Sequence, residues 1–232
     1  MRPFDPDKPL IFIHVPKTAG ISVRDIFSGW FGSRLVHHYF DEAAGRPPQR
    51  DDRFDHHDRG APVCVYGHFN RSRAFGVDDT YPDAAQFVTL LRDPFEMACS
   101  HYFYVRKVGA NWKDRGRVPQ SDLETHLDTM APNMLNHFPR VVTKANYREL
   151  IETHFVEIGV TERLAESLAR IAVALGQDFA PADLGRRNTT ERDMAGLDIG
   201  ALRARYRDRY PLEFAVYDHV RWLFDRRPAL LS

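Results

Sequence analysis

A polar turn near the N-terminus carries side chains suited to binding a phosphate group. Residues 10–15 (LIFIHV) form an apolar run of strand length, and the turn 16–20 (PKTAG) follows before apolar residues recur at helical spacing. The first amides of a helix attract anions, Lys17 adds a full positive charge, and Thr18 and Ser22 add hydroxyl donors. The pattern therefore predicts a phosphate site, and the alternative is a strand–helix turn whose lysine is solvated.

The turn differs from the phosphate loop of ATP-binding proteins. When Gly20 is placed on the second glycine of G-x-x-x-x-G-K-[ST], Val15 falls on the first glycine and Ile21 falls on the lysine. Only Ser22 matches its position, because the lysine lies on the other side of the turn. The Mg²⁺-assisted geometry of nucleoside triphosphate binding is therefore not encoded, and no metal is expected.

A second group of polar residues follows another predicted strand, at residues 85–91. Asp93 precedes a proline and is predicted to cap a helix, with Glu96 completing a capping box. Arg92 leaves the carboxyl end of the strand, where open α/β sheets bind ligands. A guanidinium and the Ser100 hydroxyl would form a clamp for a phosphate dianion if the helix leans over the same pocket. The alternative is a capped helix with a surface arginine.

His68 is the strongest candidate for a general base. It follows the apolar segment 62–66 across Gly67, so we expect it at the edge of the sheet where ligands bind. The alternative is a histidine hydrogen-bonded within a loop. His14 is a weaker candidate, and the adjacent pairs at 37–38 and 56–57 lack a third spaced ligand and favour solvated segments over a metal site.

The remaining pattern predicts elements that alternate between strands and helices. This alternation favours an α/β fold with a single-domain, mostly parallel central sheet flanked by helices. Thr161 is predicted to cap a helix, and the polar segments 41–60 and 109–122 are predicted to be mobile loops. The other predicted strands are 35–40 and 156–160, and the other helices are 147–154, 164–175, 202–209 and 212–224.

Composition excludes several classes of protein. The chain has 232 residues, with 32 Lys and Arg against 32 Asp and Glu, so no basic field indicates a nucleic-acid partner. No apolar run approaches the roughly 20 residues of a membrane span. The N-terminus is polar and proline-rich, unlike a signal peptide. The length predicts a single domain over 1–232. The chain's 2 cysteines provide no disulfide framework and no zinc site, which predicts a cytoplasmic location.

Two segments resemble the donor-binding motifs of sulfotransferases that use 3′-phosphoadenosine 5′-phosphosulfate (PAPS). Residues 14–22 (HVPKTAGIS) resemble the 5′-phosphosulfate loop, and a closing P-K-T-A-G-T-S is typical of the carbohydrate branch that includes the heparan sulfate 2-O-sulfotransferases. Residues 90–102 (LLRDPFEMACSHY) resemble the 3′-phosphate motif R-D-P-x-x-R-x-x-S-x-Y. Ile21 and Met97 depart from the usual Thr and Arg.

The resemblance implies a P-loop-NTPase-like sulfotransferase fold and a role for each matching residue. Arg92 and Ser100 are assigned to the 3′-phosphate, and Asn188 belongs to a polar N-x-[ST] element that helps to close the nucleotide site in relatives. Gly67-His68 matches the position of the catalytic histidine in the 2-O branch. The residues assigned to the 5′-phosphosulfate are Pro16, Lys17, Thr18, Ala19, Gly20, Ile21 and Ser22.

The implied activity is transfer of a sulfuryl group from PAPS to a hydroxyl of a sugar or small molecule, without a metal. His68 would act as base and Lys17 would stabilise the leaving phosphate. The alternatives are a P-loop-like nucleotide kinase and a non-catalytic nucleotide-binding domain. The sequence does not identify the acceptor or the oligomeric state.

Overall fold

The computed structural model is built on one five-stranded sheet, and it describes residues 1–109, 116, 118–184 and 192–227. All strand pairs are parallel, and the strand order is β2-β3-β1-β4-β5. The strands are β1 (Leu10–Ile13), β2 (Leu35–His38), β3 (Cys64–Gly67), β4 (Phe87–Leu91) and β5 (Phe155–Val160). The predicted α/β class with a parallel sheet is confirmed.

The register of the central strands brings their carboxyl ends to one edge of the sheet. Ile13, near the end of β1, is opposite Gly67 of β3 and Thr89 of β4. The residues that follow these strands therefore emerge side by side, with His14 next to His68. This edge is where an open parallel sheet binds its ligands.

Helices cover both faces of the sheet, as predicted. Alternate side chains of β1 point to opposite faces, as the period of a strand requires. Ile11 and Ile13 pack in one core with residues of the helices Tyr147–His154 and Pro211–Asp225. Leu10 and Phe12 pack in the other core with residues of the helices Gly20–Phe31 and Leu164–Leu175. The helices are α1 (Gly20–Phe31), α2 (Val77–Thr80), α3 (Pro94–Gly109), α4 (Leu123–Thr129), α5 (Tyr147–His154), α6 (Leu164–Leu175), α7 (Ile199–Arg209) and α8 (Pro211–Asp225).

Two predicted helix caps are wrong in detail. Asp93 does cap α3, since its Oδ1 accepts from the Glu96 amide at 3.1 Å. The capping box is not closed, however, because the Asp93 amide donates to Glu162 at 2.9 Å. Thr161 caps no helix: α6 begins without a side-chain cap bond, and the Thr161 hydroxyl donates to the Leu91 carbonyl at 3.0 Å. In both places a contact between distant segments replaces the local one.

The two long polar segments differ in how much of them the structure describes. Segment 41–60 contains a short 3₁₀ turn at Asp52–Phe54, and Phe54 is buried in the core. Arg50 in this segment pairs with Asp55 and Asp83. Segment 109–122 falls largely outside the described residues. Within the described part of the chain, no helix has the length and apolar character needed to cross a membrane.

Candidate functional site

The turn between β1 and α1 is folded by its own backbone. Lys17 and Ala19 both adopt left-handed conformations, with φ of 68° and 63°, which residues other than glycine rarely do. The hydroxyl of the buried Thr18 donates to the Val15 carbonyl at 2.6 Å. The sequence predicts this hydroxyl as a donor to phosphate, but its proton is committed to closing the turn. Backbone strain at such positions is often retained where a loop must hold a ligand.

The N-terminus of α1 is open to an anion. Gly20 begins the helix, no side chain caps it, and its first turn contains no acidic residue. The amides of Gly20, Ile21 and Ser22 consequently have no partner within the helix. Ser22 is half-buried in this turn and Ile21 is exposed, so the two motif positions face different surroundings. Pro16 and Ala19 complete the turn as half-buried residues.

Arg92 links the two predicted phosphate motifs. Its Nη1 donates to the carbonyl of Lys17 at 3.2 Å, although the two residues are 75 positions apart. Burial, followed by the nearby charges of Arg92 and Arg192, lowers the pKa of Lys17 to about 8. Burial and Arg192 likewise lower the pKa of Arg92. The three side chains thus form one positively charged group, which we call the cation cluster (Lys17, Arg92 and Arg192).

Helix α3 packs beside the turn through two of its side chains. The Tyr104 ring lies against Lys17, whose Nζ is 3.6 Å from the ring centroid. His101, one helical position after Ser100, lies close enough to Lys17 for the lysine to lower its pKa, which is about 4 mainly because of burial. Ser100 itself is buried, and Met97 is packed into the core below it. The α3 side chains that lie beside Lys17 are therefore those of His101 and Tyr104, and a phosphate contact by Ser100 stays a prediction.

Sequence reasoning missed Arg192. It belongs to no motif, and its position in the cluster depends on an ion pair of 2.7 Å with Glu96 at the start of α3. That contact joins segments 96 positions apart, so no local pattern could have identified it. Asn188, the predicted closing residue, lies outside the described residues.

His68 has the hydrogen bond that prepares a histidine to act as a base. Its Nδ1 is 2.6 Å from the carbonyl oxygen of His14, which can only accept, so Nδ1 carries the proton and Nε2 carries the lone pair. Burial lowers the pKa of His68 from its usual 6.5, and the bond to His14 partly opposes this shift. His68 is therefore neutral at pH 7 and able to accept a proton at Nε2.

Aromatic rings enclose His68 on several sides. Its ring stacks on His14 at a centroid distance of 4.3 Å, meets the edge of Tyr39 at 5.0 Å and lies 6.0 Å from His137. His137 is fully buried, and burial lowers its pKa to about 3. His14, Tyr39 and His137 are all uncharged at neutral pH. They therefore fix the orientation of the His68 ring without placing a charge beside it.

The paired histidines of the sequence do not gather around His68 as a metal site. His38 is buried and stacks on Phe69 at 4.6 Å. His56 and His57 bond through Nδ1 to carbonyls of their own turn. Among the residues that the structure describes, no three His, Cys, Asp or Glu side chains are arranged to hold a metal ion.

Comparison with known proteins identifies the fold. No family model and no curated protein matches the chain. Among solved structures, mouse sulfotransferase SULT7A1 complexed with PAP is 11% identical with a TM-score of 0.52, over 94% of this chain and 88% of that one. A sulfotransferase from Alicyclobacillus acidocaldarius is 15% identical, with a TM-score of 0.48 and coverage of 95% and 97%. Retinol dehydratase in complex with androsterone and inactive cofactor PAP is 14% identical, with a TM-score of 0.37 and coverage of 78% and 63%.

The first of these similarities shows that the chain has the sulfotransferase fold. It extends over nearly the whole of both chains. None of the three neighbours tests the resemblance to the heparan sulfate 2-O branch, which stays a prediction. The site combines an uncapped helix N-terminus, a cation cluster and a neutral histidine at one edge of the sheet.

Proposed function

We propose that this protein transfers a sulfuryl group from PAPS to a hydroxyl of an acceptor. The observation that carries the proposal is the bond from Arg92 to the carbonyl of Lys17, which joins both predicted phosphate motifs in one site. The sulfotransferase fold and the PAP bound to its mouse neighbour support the same activity. Resemblance of the two motifs to those of PAPS enzymes adds a third, independent line.

The donor would lie along the carboxyl edge of the sheet, between the turn and α3. In this proposal the turn 16–22 holds the 5′-phosphosulfate through its amides and Lys17, and Arg92 with Ser100 holds the 3′-phosphate. Arg192 adds a charge that the motifs do not include. The positive charges of Lys17, Arg92 and Arg192 repel one another, and this repulsion lowers the pKa of Lys17 and of Arg92. A donor with two phosphate groups suits such a site, because its negative charges would offset the repulsion between the cations.

The chemical step needs one base and one stabilising cation. The acceptor oxygen attacks sulfur while its proton passes to Nε2 of His68. The bond between sulfur and the bridging phosphate oxygen breaks, and its electron pair stays on the phosphate. Lys17 stabilises that added charge. The products are a sulfate ester and 3′-phosphoadenosine 5′-phosphate (PAP), and His68 then returns its proton to water.

The acceptor in this proposal is a sugar or a small molecule with a free hydroxyl. We place the reaction in the cytoplasm, where the buried free thiols of Cys64 and Cys99 are stable. No metal takes part in the proposed step.

Calorimetric titration of the protein with PAP, and separately with ATP plus Mg²⁺, tests the donor. We expect saturable binding of PAP and much weaker binding of ATP. Preferential binding of ATP–Mg²⁺ would instead support a nucleotide kinase. A panel of sugars, phenols and alcohols incubated with radiolabelled PAPS then tests the transfer, and binding of PAP without transfer or PAPS hydrolysis would indicate a non-catalytic domain.

A further inference from the structure

His14 lies between the turn and the proposed base, and its side chain has no role in the step described above. Its Nδ1 is 3.1 Å from the Tyr39 hydroxyl oxygen. One face of its ring stacks on His68 at 4.3 Å. The Nε2 side of the ring lies against Gly20, where a Cβ would be only 1.8 Å from Nε2. The imidazole therefore joins the base to the first residue of α1.

The absence of a side chain at Gly20 is what allows this arrangement. Any other residue at position 20 would overlap Nε2 and Cε1 of His14, at 1.8 and 2.1 Å. Gly20 has an ordinary helical backbone, so the glycine is required by the close approach and not by its φ. The Nε2 edge of His14 thus borders the same helix terminus whose amides are open to an anion.

His14 is uncharged at neutral pH. Burial lowers its pKa well below 6.5, and His68, His137 and Arg24 lower it further. Burial also raises the pKa of Tyr39 to about 12, so that hydroxyl keeps its proton. A neutral imidazole has one N–H, and the bond to Tyr39 leaves two arrangements. Either Nδ1–H donates to Tyr39 and a lone pair faces the turn, or Tyr39 donates to Nδ1 and Nε2–H faces the turn.

We propose that Tyr39 donates to Nδ1 of His14 and that His14 donates its Nε2–H to an oxygen of the donor's 5′-phosphosulfate. An anion at the turn selects this arrangement, because a lone pair at Nε2 would repel it. The two stacked histidines then have opposite tautomers: His68 is protonated at Nδ1 and accepts at Nε2, whereas His14 is protonated at Nε2. No proton leaves His14. This inference rests on the proposed function.

Nitrogen NMR of the imidazole side chains in the intact protein tests the tautomers directly. With PAP bound, we expect His14 to report an N–H at Nε2 and His68 to report an N–H at Nδ1. Titration of PAP should shift the Nε2 signal of His14 more than that of the exposed His37. A His14 protonated at Nδ1 in the PAP complex would overturn the proposal. A wild-type protein that does not bind PAP would instead refute the proposed function.

A pair of amide variants tests the contact by affinity. The Gln amide extends to about the position of Nε2, whereas the Asn amide reaches only that of Nδ1. We expect His14→Asn to weaken donor binding about tenfold and His14→Gln to stay within about threefold of wild type, as for loss or retention of one charge-assisted hydrogen bond. We expect PAP and PAPS to be weakened alike, because both carry the 5′-phosphate, and weakening of PAPS alone would contradict the contact that the PAP complex is expected to report.

His37→Asn and His37→Gln are matched controls on the exposed face of β2, and neither should change donor affinity. Urea denaturation of each variant separates loss of folding from loss of the contact. Equal affinities of the two His14 variants, with wild-type stability in both, would contradict the proposal. If His14→Asn does not fold, the NMR measurement on the wild-type protein still decides.

Discussion

Basic side chains gather in two regions of this protein, and the two regions treat charge differently. The cation cluster is one. The other is the ion-pair network around the end of α8, formed by Glu157, Glu166, Arg170 and Arg227. There Arg227 bonds to both oxygens of the buried Glu157 at 2.5 and 2.8 Å, and Arg170 bonds to Glu166 at 2.5 Å and to the Phe224 carbonyl at 2.6 Å.

The difference is whether carboxylates neutralise the cations. In the ion-pair network each arginine contacts an acid, so the charges stabilise the packing of α8 on β5 and α6. In the cation cluster Arg192 pairs with Glu96 at 2.7 Å, but neither Lys17 nor Arg92 makes an ion pair with any described residue. Buried charge without a partner is costly unless a ligand supplies the partner. The comparison teaches that pairing, and not the number of arginines, separates a structural network from a binding site.

Removing either chemical group of the site should have the largest effect. We expect Lys17→Ala and His68→Ala each to lower kcat by about 10² or more, because one removes the stabilising charge and the other removes the base. Steady-state sulfation with radiolabelled PAPS measures this. Lys144→Ala and His56→Ala, at exposed positions, are the matched controls. Sulfation at the wild-type rate by either site variant would refute the role given to that residue.

Arg92→Met should separate binding from stability. We expect PAP affinity to fall by about 30-fold, as for loss of a charge-assisted phosphate contact. The free energy of unfolding of the ligand-free protein should change by less than about 1 kcal/mol, because relief of like-charge repulsion offsets the lost bond to Lys17. Calorimetry and urea denaturation measure the two quantities. Arg46→Met, at an exposed position, is the control.

Arg227→Met should show the opposite behaviour. We expect the free energy of unfolding to fall by about 2 kcal/mol, because the carboxylate of Glu157 would be left buried without its cation. PAP affinity should remain that of wild type, since the ion-pair network lies apart from the cation cluster. Unchanged stability, or a loss of affinity as large as that of Arg92→Met, would break the contrast between the two regions.

The pH dependence of kcat/KM should show the smallest effect. Lys17 must keep its proton and His68 must lack one, so kcat/KM should fall below the lowered pKa of His68 and above pH 8. At pH 8.5 the loss through Lys17 should be roughly fourfold. Lys17→Arg should remove the alkaline limb even if kcat falls, because arginine stays protonated. An alkaline limb that persists near pH 8 in that variant would assign it to another group.

Local patterns were sufficient for the elements that carry the motifs. The first strand, the turn and α1 follow from an apolar run and a helical period, and Asp93 caps α3 as its position before Pro94 predicts. The patterns failed where another acceptor, near or far along the chain, takes the same donor. Glu162 takes the Asp93 amide, and Val15 takes the Thr18 hydroxyl that was assigned to phosphate. A donor has one proton, and sequence spacing does not show which acceptor lies nearest.

The sequence by itself determined that strand ends carry Lys17, His68 and Arg92, because periodicity and turn chemistry act over a few residues. The tertiary structure alone decided that Arg92 reaches the Lys17 carbonyl, that Arg192 joins them, and that His14 fills the space beside Gly20. These contacts arise where parallel strands and the helices after them converge. Their geometry depends on register and helix packing, which no single segment encodes.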